Sequence, residues 1–228
     1  MRLLVLASGR GSHAVNLIEA SRDGRLCADV ARVVSDRRGA PVIERVRALR
    51  VATTVLMPDT AGSRLHPDAE RQLLEILREE RIELIALCGF MRLLSADLLD
   101  RIGAPILNVH PSLLPAFRGL HAQRQAIEAG VRVTGATVHF VDSGMDTGPI
   151  LLQAPLEVLP GDTEESLSDR LLPVEQRLYV DAIGLIQRGA VRREGRAVLI
   201  ERPDAPAGAA GPGPTAAGSG TTKGRDRG

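Results

Sequence analysis

Short apolar runs alternate with longer amphipathic stretches along the chain. Leu3 to Ala7 is uninterruptedly apolar, His13 to Arg22 carries apolar positions at helical spacing, and Val30 to Val34 is apolar again. This succession predicts a βαβ opening. It continues with a helix near Pro41 to Leu49, a strand at Val51 to Val55, a helix from about Pro67 to Glu80 and a strand at Glu83 to Leu87. Pro67 suits a first helical turn, where its missing N–H has no helical partner to lose. A short helix near Ala96 to Arg101 leads to a strand at Pro105 to Asn108, so the first half reads as a parallel sheet covered by helices.

The second half changes character. Val131 to Val141 and Ile150 to Val158 read as longer strands joined by a polar, glycine-containing loop, which predicts an antiparallel extension. A last helix follows the Asp162-Thr163 cap, with Glu164 and Glu165 in its first turn and Leu167, Leu171, Val174 and Leu178 at helical spacing. Pro173 is expected to kink or split it. Val191 to Ile200, interrupted by Glu194-Gly195, reads as a hairpin. The expected class is α/β, a Rossmann-like, mostly parallel sheet with helices on both faces and an antiparallel extension in the C-terminal half.

Composition narrows the possibilities. Of 228 residues, 44% are hydrophobic and 25% charged, an ordinary globular balance. Residues 203–228 are rich in Gly, Ala and Pro and contain no Val, Ile, Leu, Met or aromatic residue, so a disordered tail is expected after a domain of residues 1–202. The tail carries Lys223, Arg225 and Arg227 against Asp204 and Asp226, which leaves the body neutral. A neutral body argues against nucleic-acid or anionic-membrane partners. Lys223 is the sole lysine, which excludes a Schiff-base or P-loop lysine in the body. Cys27 and Cys88 are isolated and lack metal-ligand spacing, consistent with reduced thiols and a cytoplasmic protein. No apolar run approaches the roughly 18 residues of a membrane span.

Three segments carry candidate chemistry. Ser8-Gly9-Arg10-Gly11-Ser12-His13 lies between the first strand and the first helix, where glycines admit close backbone approach and a helix N-terminus favours a phosphate. A side chain at Gly11 is expected to stand where that phosphate sits. The same residues with Ala14, and Asp36 after the second strand, also fit a loose dinucleotide pattern. Asn108 and His110 alternate by two at the end of a central strand, so both face one side, where an amide and an imidazole can stabilise an oxyanion and move a proton. Asp142-Ser143-Gly144-Met145-Asp146-Thr147-Gly148-Pro149 offers two carboxylates, either of which favours a protonated His110 if it lies beside it.

Together with Gly89-Phe90-Met91-Arg92, Asn108 through Pro115, Gly119-Leu120-His121 and Gly135 through Val141, these segments closely resemble the phosphoribosylglycinamide formyltransferases, over about residues 1 to 200. The resemblance implies a catalytic Asn108, His110 and Asp146. It implies substrate binding by Gly11, Ser12, His13 and Glu175 within a nucleotide-binding half of about 1–105 and a folate and catalytic half of about 106–202. It implies a folate cleft of Met91, Arg92, Leu93, Leu94, Asn108, Asp142, Ser143, Gly144, Met145 and Asp146, with an arginine contact at Arg64 or an alternative at His66. The co-substrate implied is 10-formyltetrahydrofolate, the acceptor glycinamide ribonucleotide, with no metal, in a monomer or homodimer. His13 replaces the family's usual Asn, and Pro173 lies in the helix that carries Glu175. His121 is expected near the substrate, whereas His139 and Cys88 read as packed core residues. Methionyl-tRNA formyltransferase and formyltetrahydrofolate hydrolase share the Asn, His and Asp; the former is expected to carry a further tRNA-binding domain and the latter an extra domain in front. A nicotinamide-dinucleotide module is the alternative from another class.

Overall fold

β1 (Arg2–Leu6) is apolar after its first residue because the sheet around it is covered on both faces. A computed structural model describes residues 1–59 and 62–201; the expected tail at 203–228 lies outside the described residues. On one face Leu3 and Val5 pack with α1 (Ser12–Arg22), α2 (Pro41–Ala48) and α6 (Glu164–Gln187). On the other, Leu4 and Leu6 pack with α3 (Pro67–Glu79) and α4 (Ala96–Arg101). Successive strand residues point to opposite faces, so a doubly covered strand admits no polar alternation.

The other strands are β2 (Asp29–Ser35), β3 (Ala52–Val55), β4 (Leu84–Leu87), β5 (Ile106–His110), β6 (Val133–Phe140) and β7 (Ile150–Glu157), joined in the order β3-β2-β1-β4-β5-β6-β7. β1 to β5 are mutually parallel, and β6 and β7 add on antiparallel, as the patterning predicts. β8 (Val191–Glu194) and β9 (Ala197–Ile200) form a separate hairpin.

Two features depart from the sequence reading. α6 is not split: it runs unbroken through Pro173, which is exposed, so water can take the carbonyl of Asp169 that loses its donor. Leu167 and Leu171 before the proline and Leu178 and Tyr179 after it are all buried, and this packing outweighs the local cost. α5 (Ala122–Glu128) has no counterpart in the patterning, because it is short and its N-cap, His121, makes no side-chain capping bond.

The two faces are not equally covered. Leu107, Val109, Ala136 and Val138 lie in the cluster under α6. On the opposite face of β5 and β6 the helical layer ends at α4, and Asn108, His110 and His139 point into the space that loops enclose. Among the described residues no helix is long and apolar enough to cross a membrane.

Candidate active site

β1 lies between β2 and β4, whose connections run in opposite directions, and a crevice forms beyond the strand ends at such a point. His110 is the last residue of β5 and is buried, with Nε2 donating to the carbonyl of Phe117 at 2.8 Å. Its Nδ1 lies 3.3 Å from Asp146 Oδ2. Both ring nitrogens therefore face acceptors, an arrangement that an imidazolium satisfies on both sides.

Asp146 is held from several directions. Its Oδ2 accepts the Gly119 N–H at 2.8 Å, and its Oδ1 accepts from Asn108 Nδ2 at 3.5 Å, with His139 Nε2 3.6 Å away. Burial alone raises its carboxyl, but the His139 ring, the Gly119 amide and the charge of His110 outweigh it and hold Asp146 below the ordinary aspartate range. The carboxylate thus contributes stability above the unfolded-state value of about 3.9, and that contribution is lost as pH falls through the lowered folded value. Its backbone is left-handed, with φ of 52°, a conformation uncommon outside glycine.

His139 is buried, as the sequence reading has it, yet it is not a bystander. It sits opposite Asn108 in the β5–β6 ladder, its Nδ1 donates to the Phe140 carbonyl at 2.9 Å, and its Nε2 lies 3.2 Å from Asn108 Nδ2. An antiparallel pairing of the Asn108 strand with the His139 strand was the signal that places the two side by side.

These groups close the inner end of a cleft of about 420 Å³. Leu87, Phe90, Leu94, Val109 and Val141 line it, and Met91, Leu120 and Met145 stand at it 53%, 68% and 52% exposed, an unusual outlay of apolar surface for free side chains. Met91, Arg92, Leu93, Leu94, Asn108, Asp142, Ser143, Gly144, Met145 and Asp146 all border this cleft. Arg64 does not line it, although its backbone bridges Leu93, and Ser63 beside it does. His66 is occupied in capping α3, its Nδ1 accepting the Asp68 N–H at 3.2 Å. His121 reaches the cleft with its ring bonded to Glu164 at 2.8 Å.

Arg92 borders the cleft, but its guanidinium is drawn toward the end of β2. Its Nε lies 2.6 Å from Asp36 Oδ2 in a buried ion pair, and Nη1 donates to the Gly62 carbonyl. Asp36 is therefore only 3% exposed and already engaged, so the dinucleotide alternative loses its ribose-binding acid.

The glycine loop lies at the start of α1, whose N-cap, Gly11, makes no side-chain capping bond, leaving first-turn N–H groups for an anion. Ser8 Oγ accepts the Met91 N–H at 2.9 Å and so ties this loop to the cleft. His13 Nε2 meets Glu175 Oε2 at 2.8 Å, so the unbroken α6 brings Glu175 to the loop despite Pro173. The buried His13 Nδ1 has no partner. Gly11, Ser12, His13 and Glu175 stand together at this second location rather than along the cleft.

The expectation for Gly11 needs correcting. A Cβ there would meet Val42 Cγ2 at 2.3 Å, and φ is +76°, so a side chain strains the fold against α2 rather than filling phosphate space. Gly11→Ala should destabilise by about 2 kcal/mol or more, whereas Gly9→Ala, which meets nothing within 4 Å, should leave the thermal midpoint unchanged. Equal midpoints for the two variants, measured by calorimetry, would contradict this assignment.

Comparison with known proteins follows this geometry. A model of the formyl transferase family matches residues 1–183. The chain is 40% identical over 192 residues to phosphoribosylglycinamide formyltransferase of Bacillus subtilis, covering 82% of this chain and 97% of that protein. It is 41% identical to the trifunctional purine biosynthetic protein adenosine-3 of Drosophila pseudoobscura pseudoobscura over 84% of its own length, but spans only 14% of that protein. Among solved structures, glycinamide ribonucleotide transformylase 1 from Symbiobacterium toebii superposes with a TM-score of 0.83 at 44% identity, over 89% of this chain and 94% of the other. A formyltetrahydrofolate deformylase from Pseudomonas syringae pv. tomato superposes at 0.80 with 21% identity, over 88% of this chain and 66% of that one, a likeness of fold alone.

Proposed function

Because the chain belongs to the formyl transferase family, we propose that it transfers the formyl group of 10-formyltetrahydrofolate to the amino group of glycinamide ribonucleotide, in the cytoplasm, as a monomer or homodimer. The observation that carries this reading is the His110–Asp146 pair, 3.3 Å apart at the inner end of an apolar cleft, with Asn108 between Asp146 and His139. The apolar cleft suits the folate, with Arg64 beside its mouth for an acidic tail. The free N–H groups of α1 with Ser12 and His13 suit the phosphate, and Glu175 suits the sugar or glycinamide.

In this reading the substrate amine attacks the formyl carbon, and a tetrahedral oxyanion forms. The His110 imidazolium faces that charge, and Asn108 turns an N–H toward it by exchanging its long 3.5 Å contact with Asp146. The new C–N bond is made in that addition, and the bond from the formyl carbon to the folate nitrogen breaks when the oxyanion collapses back to a carbonyl. The amine loses one proton and the departing nitrogen gains one, with His110 as the acid and Asp146 orienting it and assisting removal of the amine proton, directly or through water.

Tetrahydrofolate release followed spectroscopically tests this. Release is expected only when glycinamide ribonucleotide is present, with one formylated product per folate. Release at the same rate without the amine would indicate hydrolysis, and transfer to methionyl-tRNA alone would indicate the tRNA enzyme.

A further inference from the structure

The β8–β9 hairpin lies beyond the residues matched by the family and has no part in the chemistry above. It is nevertheless fastened to the loop that carries Asp146. Arg196, in the hairpin turn, donates from Nη2 to the carbonyl of Thr147 at 2.8 Å. Arg193 holds its guanidinium carbon 4.6 Å from the centre of the Phe140 ring. Val191 and Val198 pack against the main core, so the hairpin is itself anchored.

Both contacts fall where the loop is most constrained. Phe140 is its neck: the Phe140 N–H donates to the Pro149 carbonyl at 2.9 Å, and a Cβ on Gly148 would stand 1.8 Å from the Phe140 oxygen. Thr147 directly follows Asp146, whose left-handed backbone is strained and persists only where its surroundings over-determine it. Within the loop, Asp142 Oδ1 accepts from Thr147 Oγ1 at 2.6 Å and from the Gly144 N–H at 3.1 Å, which fixes the loop's shape but not its place on the sheet. From outside, Gly119 and Asn108 hold the Asp146 carboxylate, and Arg196 holds the backbone one residue further on.

The geometry points to the hairpin as a brace for the catalytic loop, with Arg196 a positioning residue that sets Asp146 against His110. A displaced Asp146 harms the step in which charge develops more than it harms binding. The kinetic consequence rests on the formyl-transfer reading; the mechanical one does not.

The test uses the full chain with Arg196→Ala and Arg196→Lys. In Arg196→Ala, hydrogen exchange of amides between residues 142 and 149 is expected to quicken about tenfold, with the rest of the sheet and the thermal midpoint unchanged. Turnover is expected to fall roughly three- to tenfold while KM for the amine substrate stays within about twofold, and Arg196→Lys, which keeps a donor, should recover most of both effects. Unchanged exchange in the loop overturns the brace, as does exchange that quickens across the whole sheet together with a lower midpoint, or a lysine variant no better than alanine. Absence of formyl transfer by the wild-type chain would instead overturn the proposed function, and the exchange comparison would still decide the brace.

Discussion

Asp146→Asn should lower kcat by roughly 10² to 10⁴ while changing substrate affinity far less, because it removes a charge and leaves size and much of the hydrogen bonding intact. The one amide oxygen left can still accept the Gly119 N–H, and only the long 3.5 Å contact with Asn108 then meets an NH2 instead of an acceptor, so the loop keeps its shorter bond. His110, however, then faces a neutral amide where it faced a carboxylate, and the pH profile of turnover should change shape. His110→Ala should be at least as damaging, and the double variant much less than multiplicative, as for residues that act as one unit. Asp142→Asn is the control, since its carboxylate is spent on Thr147 and Gly144 within the loop. Steady-state kinetics across pH decide the matter. Near-full turnover with an unchanged profile in Asp146→Asn, or a larger loss in Asp142→Asn, would refute the assignment.

The second large effect is on stability. Asp36 and Arg92 are buried side chains, 2% and 7% exposed, drawn from the ends of different strands. Asp36→Ala removes the carboxylate from a buried ion pair, and losing one partner of such a pair costs about 3 kcal/mol or more. For a domain of this size that corresponds to a fall of roughly 6–12 °C in Tm. Replacing both residues, Asp36→Leu with Arg92→Met, should recover most of the loss, because both charges of the buried pair then leave together. Denaturant midpoints measure this at constant slope. A loss below about 1 kcal/mol in Asp36→Ala would refute the assignment of the Asp36–Arg92 pair as a stabilising buried one.

The parallel half was legible because double burial makes its central strands β1 and β4 read as unbroken apolar runs, and the helices between the strands keep helical spacing. The candidate catalytic side chains were legible as words in a familiar order, and the positions of Asn108 and His110 followed from strand alternation alone. What escaped were relations between distant residues. Arg92 reads as a cleft residue from its neighbours Met91 and Leu93, yet its charge is drawn to Asp36 across the sheet. His139 reads as core because a strand histidine has no local signal, and only the register that sets it opposite Asn108 gives it a role. The proline in α6 carries a strong local penalty that packing on both sides overrides.

That same helix sets a length. Glu175 meets His13 beside the glycine loop, and one turn further along Tyr179, fully buried, donates its hydroxyl toward the carbonyls of Leu87 and Leu107 at 3.1 and 2.9 Å. Leu107 directly precedes Asn108, so a single rigid element touches both the glycine loop and the strand that carries Asn108 and His110. The spacing between the two ends is thus a property of one helical turn, not of flexible loops. In the proposed function a substrate is measured by it: an amine too near to or too far from its own phosphate would satisfy one end only, and discrimination by span needs no contact with the atoms in between.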